Sequence, residues 1–170
     1  MAMYATKSIA DRGLFKQVIS AALYKSDDIK ELLLGDTSGM SATAIQSKFK
    51  EHVKSHLYVD ETVQETDTFI FYDVDFPVVS RNNSLHENIK NCRVIMYVLS
   101  HVDIIDDYYK DGYYGNRVDV LTQMVENALI NDFDVANSFG IGRLSLDSVE
   151  LYQATKFYGT VLTFSVPNFR

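Results

Sequence analysis

Apolar residues recur at helical spacing in the first third of the chain. Between residues 9 and 24 they repeat with the period of an α-helix, which predicts an amphipathic helix. Ser26 is a suitable N-cap for a second, shorter helix, and Gly35 can end that helix in a left-handed conformation. The pattern therefore predicts an N-terminal helical unit over residues 8–35. The repeating positions of the first helix are Leu14, Val18, Ala21 or Ala22, and Lys25, widened by Phe15 and Ile19.

The pattern is less regular over the next thirty or so positions. Ile45, Phe49 and Val53 have helical spacing and predict a further helical piece. The residues after His56 favour an extended conformation, and residues 60–66 are expected to form a surface connection.

Two aromatic and β-branched runs predict a pair of strands. The first covers residues 68–76. The second covers residues 92–100 and is apolar on both faces, which is typical of a strand covered on two sides. The polar residues 80–91 between them predict a long hairpin loop.

The last part of the chain predicts a helix followed by two strands. Residues 116–130 form the helix, with Arg117 among its solvated residues, and the polar residues after it end it. A third strand starts at Gly140 and Gly142, which flank Ile141. Val149 and Leu151 break its alternation, which indicates a β-bulge near Asp147 and Ser148. Residues 161–166 form the last strand. The inner stripe of the helix is Val118, Leu121, Val125 and Leu129.

The order α-α-β-β-α-β-β predicts a single α+β domain over residues 1–170. We expect a mainly antiparallel four-stranded sheet with helices mainly on one face, and a sheet-and-helix core over residues 66–168. The two central strands are apolar on both faces, which is more than one helical layer can cover. The excess predicts contacts between subunits.

Composition narrows the classes of partner. The chain has 170 residues and a net charge of −7, which argues against non-specific binding to nucleic acid or to an anionic membrane. One cysteine, Cys92, excludes an intrachain disulfide framework and is expected to be a buried thiol. No apolar run reaches the length of a membrane span, and no signal peptide is recognised, so we expect assembly inside the cell.

Two constellations could bind a metal, and neither pattern is specific. Asp73 and Asp75 at a strand end could hold Mg²⁺ in a nuclease, although a strand that emerges into solvent carries such residues without a metal. His52 and His56 could share a metal on one helical face, although a surface face with two histidines fits the pattern better. No metal or cofactor is therefore expected.

An acidic, tyrosine-rich stretch over residues 103–114, here called the acidic tyrosine loop, is the candidate contact surface. Tyrosine is enriched at protein interfaces, so the loop could face a partner. The alternative is that the tyrosines pack on the helix of their own subunit. The candidate residues are Tyr108, Tyr109, Tyr113, Tyr114, Asp103 and Asp106, with Asp107 and Asp111 beside them.

The order of several motifs resembles the neck and tail-completion proteins of long-tailed bacteriophages, in the tail-terminator class. An aromatic strand ends in Tyr-Asp-Val and a second strand in Ser-His. Tyr-Gly-Asn-Arg-Val-Asp-Val-Leu, a helix, Phe-Gly-Ile-Gly-x-Leu and a Tyr-Gly-x-x-Leu-Thr-Phe strand follow. The resemblance spans residues 52–169, and residues 106–112 form a longer joint than is usual in that class.

The resemblance implies a structural virion protein without catalytic residues, and therefore not an enzyme. Such a subunit is assembled in the host cytoplasm and forms a ring, commonly a hexamer, at the head-proximal end of the tail. The implied partners are further copies of the chain, the tail tube protein and the head connector or stopper, with genomic DNA passing through unbound. Two alternatives remain: a head-completion adaptor or stopper of the neck, and a metal-dependent nuclease that uses Asp73 and Asp75.

Overall fold

The computed structural model describes residues 11–57, 65–76, 78–81, 88–90, 92–138 and 143–166. The helices of these residues are α1 (Asp11–Lys25), α2 (Asp27–Leu34), α3 (Ala42–His52), α4 (Arg117–Asn131) and α5 (Phe133–Ser138). The strands are β1 (Val53–Lys54), β2 (Thr68–Asp75), β3 (Val78–Arg81), β4 (Asn88–Lys90), β5 (Arg93–His101), β6 (Ser145–Gln153) and β7 (Phe157–Ser165).

The capping signals in the sequence place α2 correctly. The Ser26 hydroxyl accepts a hydrogen bond from the backbone N–H of Ile29 at 3.3 Å, and Gly35 ends α2 with a φ of 67°. The buried face of α1 is centred on Phe15 and Ile19, whereas Leu14 is 53% exposed. The predicted stripe was therefore displaced by one position around the helix.

The third helical prediction is confirmed, but the helix ends sooner than its apolar spacing indicates. Ser41 caps α3, which ends at His52, and Val53 already belongs to β1. His52 and His56 therefore do not share a helical face. The predicted surface connection falls largely outside the described residues.

The main sheet has five strands in the order β1-β2-β5-β7-β6, and it is mixed because β1 is parallel to β2. The predicted four-stranded antiparallel sheet is therefore correct for β2, β5, β7 and β6 and lacks the short edge strand β1. Only Val53 and Lys54 form β1. The pattern does not predict this strand, because Val53 continues the helical spacing of Ile45 and Phe49.

The structure differs from the predictions in three further places, which involve short elements or the last strand. The predicted loop over residues 80–91 contains β4 and the end of β3, which pair as a separate two-stranded sheet. The polar segment after α4 forms the short helix α5, whose first turn is capped when Asp132 accepts a hydrogen bond from Val135 N–H at 2.9 Å. The last strand begins at Phe157 rather than Val161. The predicted bulge is confirmed between Leu146 and Ser148.

The helices cover one face of the main sheet. Buried side chains of α1, α2, α3 and α4 join those of β2, β5 and β7 in one core cluster. From the strands, this core contains Ile70, Tyr72, Val74, Val94, Met96, Val98, Leu162 and Phe164. Cys92 is buried in it, as expected.

The opposite face holds a smaller aromatic cluster that is closed within the chain. Phe69, Phe71, Leu99 and Phe157 are 2–7% exposed. The expectation that the faces of β2 and β5 stay open for other subunits is therefore wrong for these residues. The predicted subunit contacts would need another surface of the molecule.

Candidate assembly surface

One edge of the main sheet is closed by the chain itself. His52 Nδ1 lies 2.9 Å from the carbonyl oxygen of Thr68, and Arg12 Nε donates to the carbonyl oxygen of Val74 at 2.7 Å. Between these two points β1 pairs with the middle of β2. Outward-facing backbone groups of β2 are thereby occupied, so this edge is a poor template for another strand.

The opposite edge, β6, is open. Its nine residues pair with β7 on one side, and no strand in the described part of the chain pairs with the other side. Val149 is 54% exposed and Leu151 is 78% exposed. A long edge strand that carries exposed apolar side chains is a ready template for association.

The exposed residues of β6 lie beside the helical layer. Leu151 is opposite Thr160 in the sheet, and the Thr160 hydroxyl lies 2.7 Å from the hydroxyl of Thr122 in α4. Directly opposed residues project from the same face of a sheet. Leu151 therefore projects on the helical side, where α4 covers β7 and Leu151 itself is 78% exposed.

The acidic tyrosine loop is held against α2 by an ion-pair cluster. Lys110 Nζ lies 2.7 Å from Asp28 Oδ1 and 2.6 Å from Glu31 Oε2. The Tyr113 hydroxyl donates to Asp28 at 2.9 Å. Hydrogen bonds from Lys110 and then Tyr113 lower the pKa of Asp28, and those to Asp28 and then Glu31 raise the pKa of Lys110. The cluster therefore keeps its opposite charges over a wide pH range.

Tyr108 packs beneath Arg117, whose guanidinium carbon lies 5.5 Å from the ring centre. Arg117 also donates to the Thr68 hydroxyl at 2.7 Å and to the Leu32 carbonyl oxygen at 2.6 Å. The prediction that Arg117 is solvated is therefore wrong: it ties α4 to α2 and to the sheet. Burial raises the pKa of Tyr108, whose hydroxyl finds no hydrogen-bond partner among the described residues.

The structure divides each tyrosine pair between the two alternatives left open by the sequence. Tyr108 and Tyr113 pack against their own chain, whereas Tyr109 is 84% exposed and Tyr114 is 80% exposed. Asp103 and Asp106, the acidic candidates, are exposed as well. One member of each pair thus fixes the loop and the other faces outward.

The candidate metal residues are held in protein contacts. Asp73 pairs with Arg12 at 2.6 Å and Lys16 at 2.8 Å, and Asp75 pairs with Arg93 at 2.6 Å. Burial opposes ionisation of Asp73, but hydrogen bonds from Lys16 and Arg12 outweigh it and lower the pKa of Asp73. These ion pairs link α1 to β2 and β2 to β5, and they give both carboxylates a structural role.

The two histidines contact the aromatic cluster on the second face of the sheet. His52 stacks on Phe69 with ring centres 5.8 Å apart, and His56 meets the Phe71 ring at 6.4 Å. Within the described residues, no three His, Cys, Asp or Glu side chains come together as a possible metal site.

Sequence reasoning missed the open edge at β6. The available signal was the break in alternation at Val149 and Leu151, which by itself indicates only a bulge. The bulge after Leu146 shifts the following residues, so both apolar side chains face the helical side of the sheet. Whether a helix covers these side chains depends on the tertiary structure, which the pattern of apolar residues does not determine.

Comparisons with known proteins add one result. No helix in the described ranges has the length and apolar character required to cross a membrane. A search of characterised proteins found no match to this chain. A protein-family model, YomW, matches residues 17–166, which extend from α1 to the residue after β7. The chain therefore belongs to the YomW family, a family derived from a Bacillus phage.

Proposed function

We propose that this chain is a structural protein of the phage particle, a tail terminator that forms a ring at the head-proximal end of the tail. The ring, a hexamer, ends the growth of the tail tube and joins the tail to the head connector. The observation that carries the proposal is the difference between the sheet edges: one is closed by Arg12 and His52, and the other, β6, is open and carries Val149 and Leu151.

The difference between the two edges is compatible with a ring. A closed ring uses heterologous contacts, in which each subunit offers two different surfaces to its two neighbours. In the proposed ring β6 contacts a different surface of the neighbour, whereas pairing of β6 with the β6 of a second copy would give a two-fold dimer. The exposed Tyr109 and Tyr114 add aromatic surface of the kind enriched at protein interfaces. Membership of a phage-derived family supports a role in the particle.

The first experiment measures assembly of the purified protein by size-exclusion chromatography with light scattering, and by electron microscopy. We expect the wild type to form rings and Leu151→Lys to shift the protein toward monomers, because the change places a charge on the open edge. Leu14→Lys is the matched control, since Leu14 is 53% exposed on α1 and away from β6. A wild type that stays monomeric over the whole concentration range refutes the ring.

The second experiment separates a tail terminator from the alternative, a head-completion adaptor or stopper. The gene is deleted in the phage that encodes it, and lysates are inspected by electron microscopy. A missing terminator leaves unattached tails of abnormal length, because nothing stops the tube. A missing adaptor leaves tails of normal length beside filled heads, and that outcome favours the alternative.

A further inference from the structure

A basic groove lies between α1, the end of α3 and β1. It has a volume of about 490 Å³, and its basic lining residues are Lys16, Lys50, Lys54 and His56. No carboxylate belongs to its described lining, although the whole chain carries a net charge of −7. A concentration of positive charge on an acidic protein indicates a surface that binds negatively charged groups.

The lysines of the groove differ in whether they already form ion pairs within the chain. Lys16 is held by Asp73 at 2.8 Å and donates to the Ser55 carbonyl oxygen at 2.8 Å. Lys50 is exposed and Lys54 is half-buried, and neither forms an ion pair within the described residues. These two ammonium groups are therefore available to a partner.

The same chain carries the complementary surface. Lys110 is turned inward to Asp28 and Glu31, so the one lysine of the acidic tyrosine loop does not neutralise its outer side. The outer side instead presents exposed residues, which are Asp103, Asp106, Asp107, Asp111 and Tyr109. The groove and the loop share no residue, so one copy can use both at once.

We infer that in the assembled ring the acidic tyrosine loop of one copy binds in the lysine groove of the next. The inference rests on the proposed function, and it names the contact that would join neighbouring subunits. Each copy gives its loop to one neighbour and receives a loop from the other, which is the heterologous arrangement that closes into a ring. A nucleic-acid phosphate is a weaker candidate for the groove, because the net charge of the chain repels nucleic acid.

The test compares charge reversals on the two sides of the contact. Lys50→Glu in the groove and Asp106→Lys in the loop are each expected to raise the dissociation constant of the ring about tenfold, the result of losing about 1.4 kcal/mol. The combined variant Lys50→Glu/Asp106→Lys is expected to recover most of the affinity, since the charges are exchanged and complementarity is restored. Lys48→Glu, on the same helix outside the groove, is the matched control and leaves assembly unchanged.

A second measurement uses the wild-type protein and so does not depend on how the variants fold. Light and heavy isotope-labelled copies are mixed, assembled and treated with a carbodiimide, which joins lysines to carboxylates in direct contact. Mass spectrometry should find Lys50 or Lys54 of one copy joined to Asp103, Asp106, Asp107 or Asp111 of another copy.

The outcomes separate this contact from the ring itself. If the wild type forms rings, Lys50→Glu behaves like Lys48→Glu and no such cross-link is found, the contact is wrong and the ring stands. If the wild type never assembles, the ring and the contact fail together. If Lys50→Glu leaves assembly intact and abolishes binding of a DNA duplex, the groove is a nucleic-acid site and the inference is overturned.

Discussion

Arg117 shows that a charged side chain can occupy the buried face of a helix. It stands four residues before Leu121 and seven before Met124, which are both buried, and the guanidinium reaches Leu32, Thr68 and the ring of Tyr108. Burial lowers the pKa of Arg117, but a guanidinium stays charged in the ordinary pH range. Hydrogen bonds from a charged group contribute about 1.5–3 kcal/mol. We therefore expect Arg117→Ala to lower the free energy of unfolding by about 2–3 kcal/mol.

The measurement is urea unfolding followed by circular dichroism. Arg117→Lys is expected to give an intermediate loss, because an ammonium group cannot reproduce the planar fork that serves two acceptors and a ring. Lys48→Ala, a change at an exposed position of α3, should stay within about 0.5 kcal/mol of the wild type. An Arg117→Ala variant as stable as Lys48→Ala would show that these contacts do not stabilise the fold.

The tyrosine pairs show that composition alone does not distinguish a buried tyrosine from an exposed one. Tyr108 and Tyr109 are identical neighbours, but Tyr108 packs against the core and beneath Arg117, whereas Tyr109 is exposed. Arg117 in turn depends on the placement of α2 against α4. Sequence reasoning could therefore identify the acidic tyrosine loop as a candidate surface but could not choose its outward-facing members.

At the level of elements, β7 begins four residues before its apolar run, and Gly159 lies in this first part of the strand. Gly159 is opposite Leu99 in the sheet, and a Cβ at this position would collide with the Val98 carbonyl oxygen and the Leu99 side chain. The missing side chain lets Leu99 fold over β7 and join Phe157 in the aromatic cluster. A glycine that weakens the strand pattern in sequence is thus required by the close packing of two strands.

We expect Gly159→Ala to destabilise the protein by about 1–3 kcal/mol, since the backbone oxygen it meets cannot move aside without distorting the strand. Gly13→Ala is the matched control. Gly13 lies inside α1 with no heavy atom within 4 Å of an added Cβ, so alanine should stabilise the helix by about 0.5–1 kcal/mol. Thermal unfolding of both variants checks the opposite signs, and two changes of the same sign would contradict the packing argument.

Elements with strong local signals were predictable, and those defined by pairing partners were not. Capping residues located α2, and the asparagine and aspartate of the Asn116 capping box begin α4 where predicted. The bulge in β6 followed from its broken alternation. β1, β3 and β4 are two to four residues long, too short for any periodicity to show. The open edge at β6 depends on strand order, which the pattern leaves undetermined.

At the scale of the whole molecule, the chain covers most of the apolar side chains of β2 and β5 on both faces, so the proposed association falls to an edge and to charged surfaces. Helices cover one face, and the aromatic cluster closes part of the other. The additional apolar side chains that predicted subunit contacts are therefore buried mostly inside the domain. Among the described residues, the exposed large apolar side chains are those of Val149, Leu151, Tyr109, Tyr114, Leu14, Leu57, Val102 and Phe133. The surface also carries a basic groove on an acidic protein.

The net charge of −7 leads to a last prediction, about DNA. A ring through which a genome passes should not hold the phosphate backbone, and like charge keeps the backbone mobile. We expect the assembled wild type to bind a short duplex no tighter than about 10⁻⁴ M at physiological salt, the weak end of non-specific binding. Fluorescence anisotropy measures this directly. Lys48→Glu, which leaves assembly unchanged, should give the same weak binding, because its ring keeps the groove lysines covered by the acidic loop of a neighbour. Micromolar binding by the assembled wild type would mean that the basic groove faces the DNA, and the passage of the genome would then need another explanation.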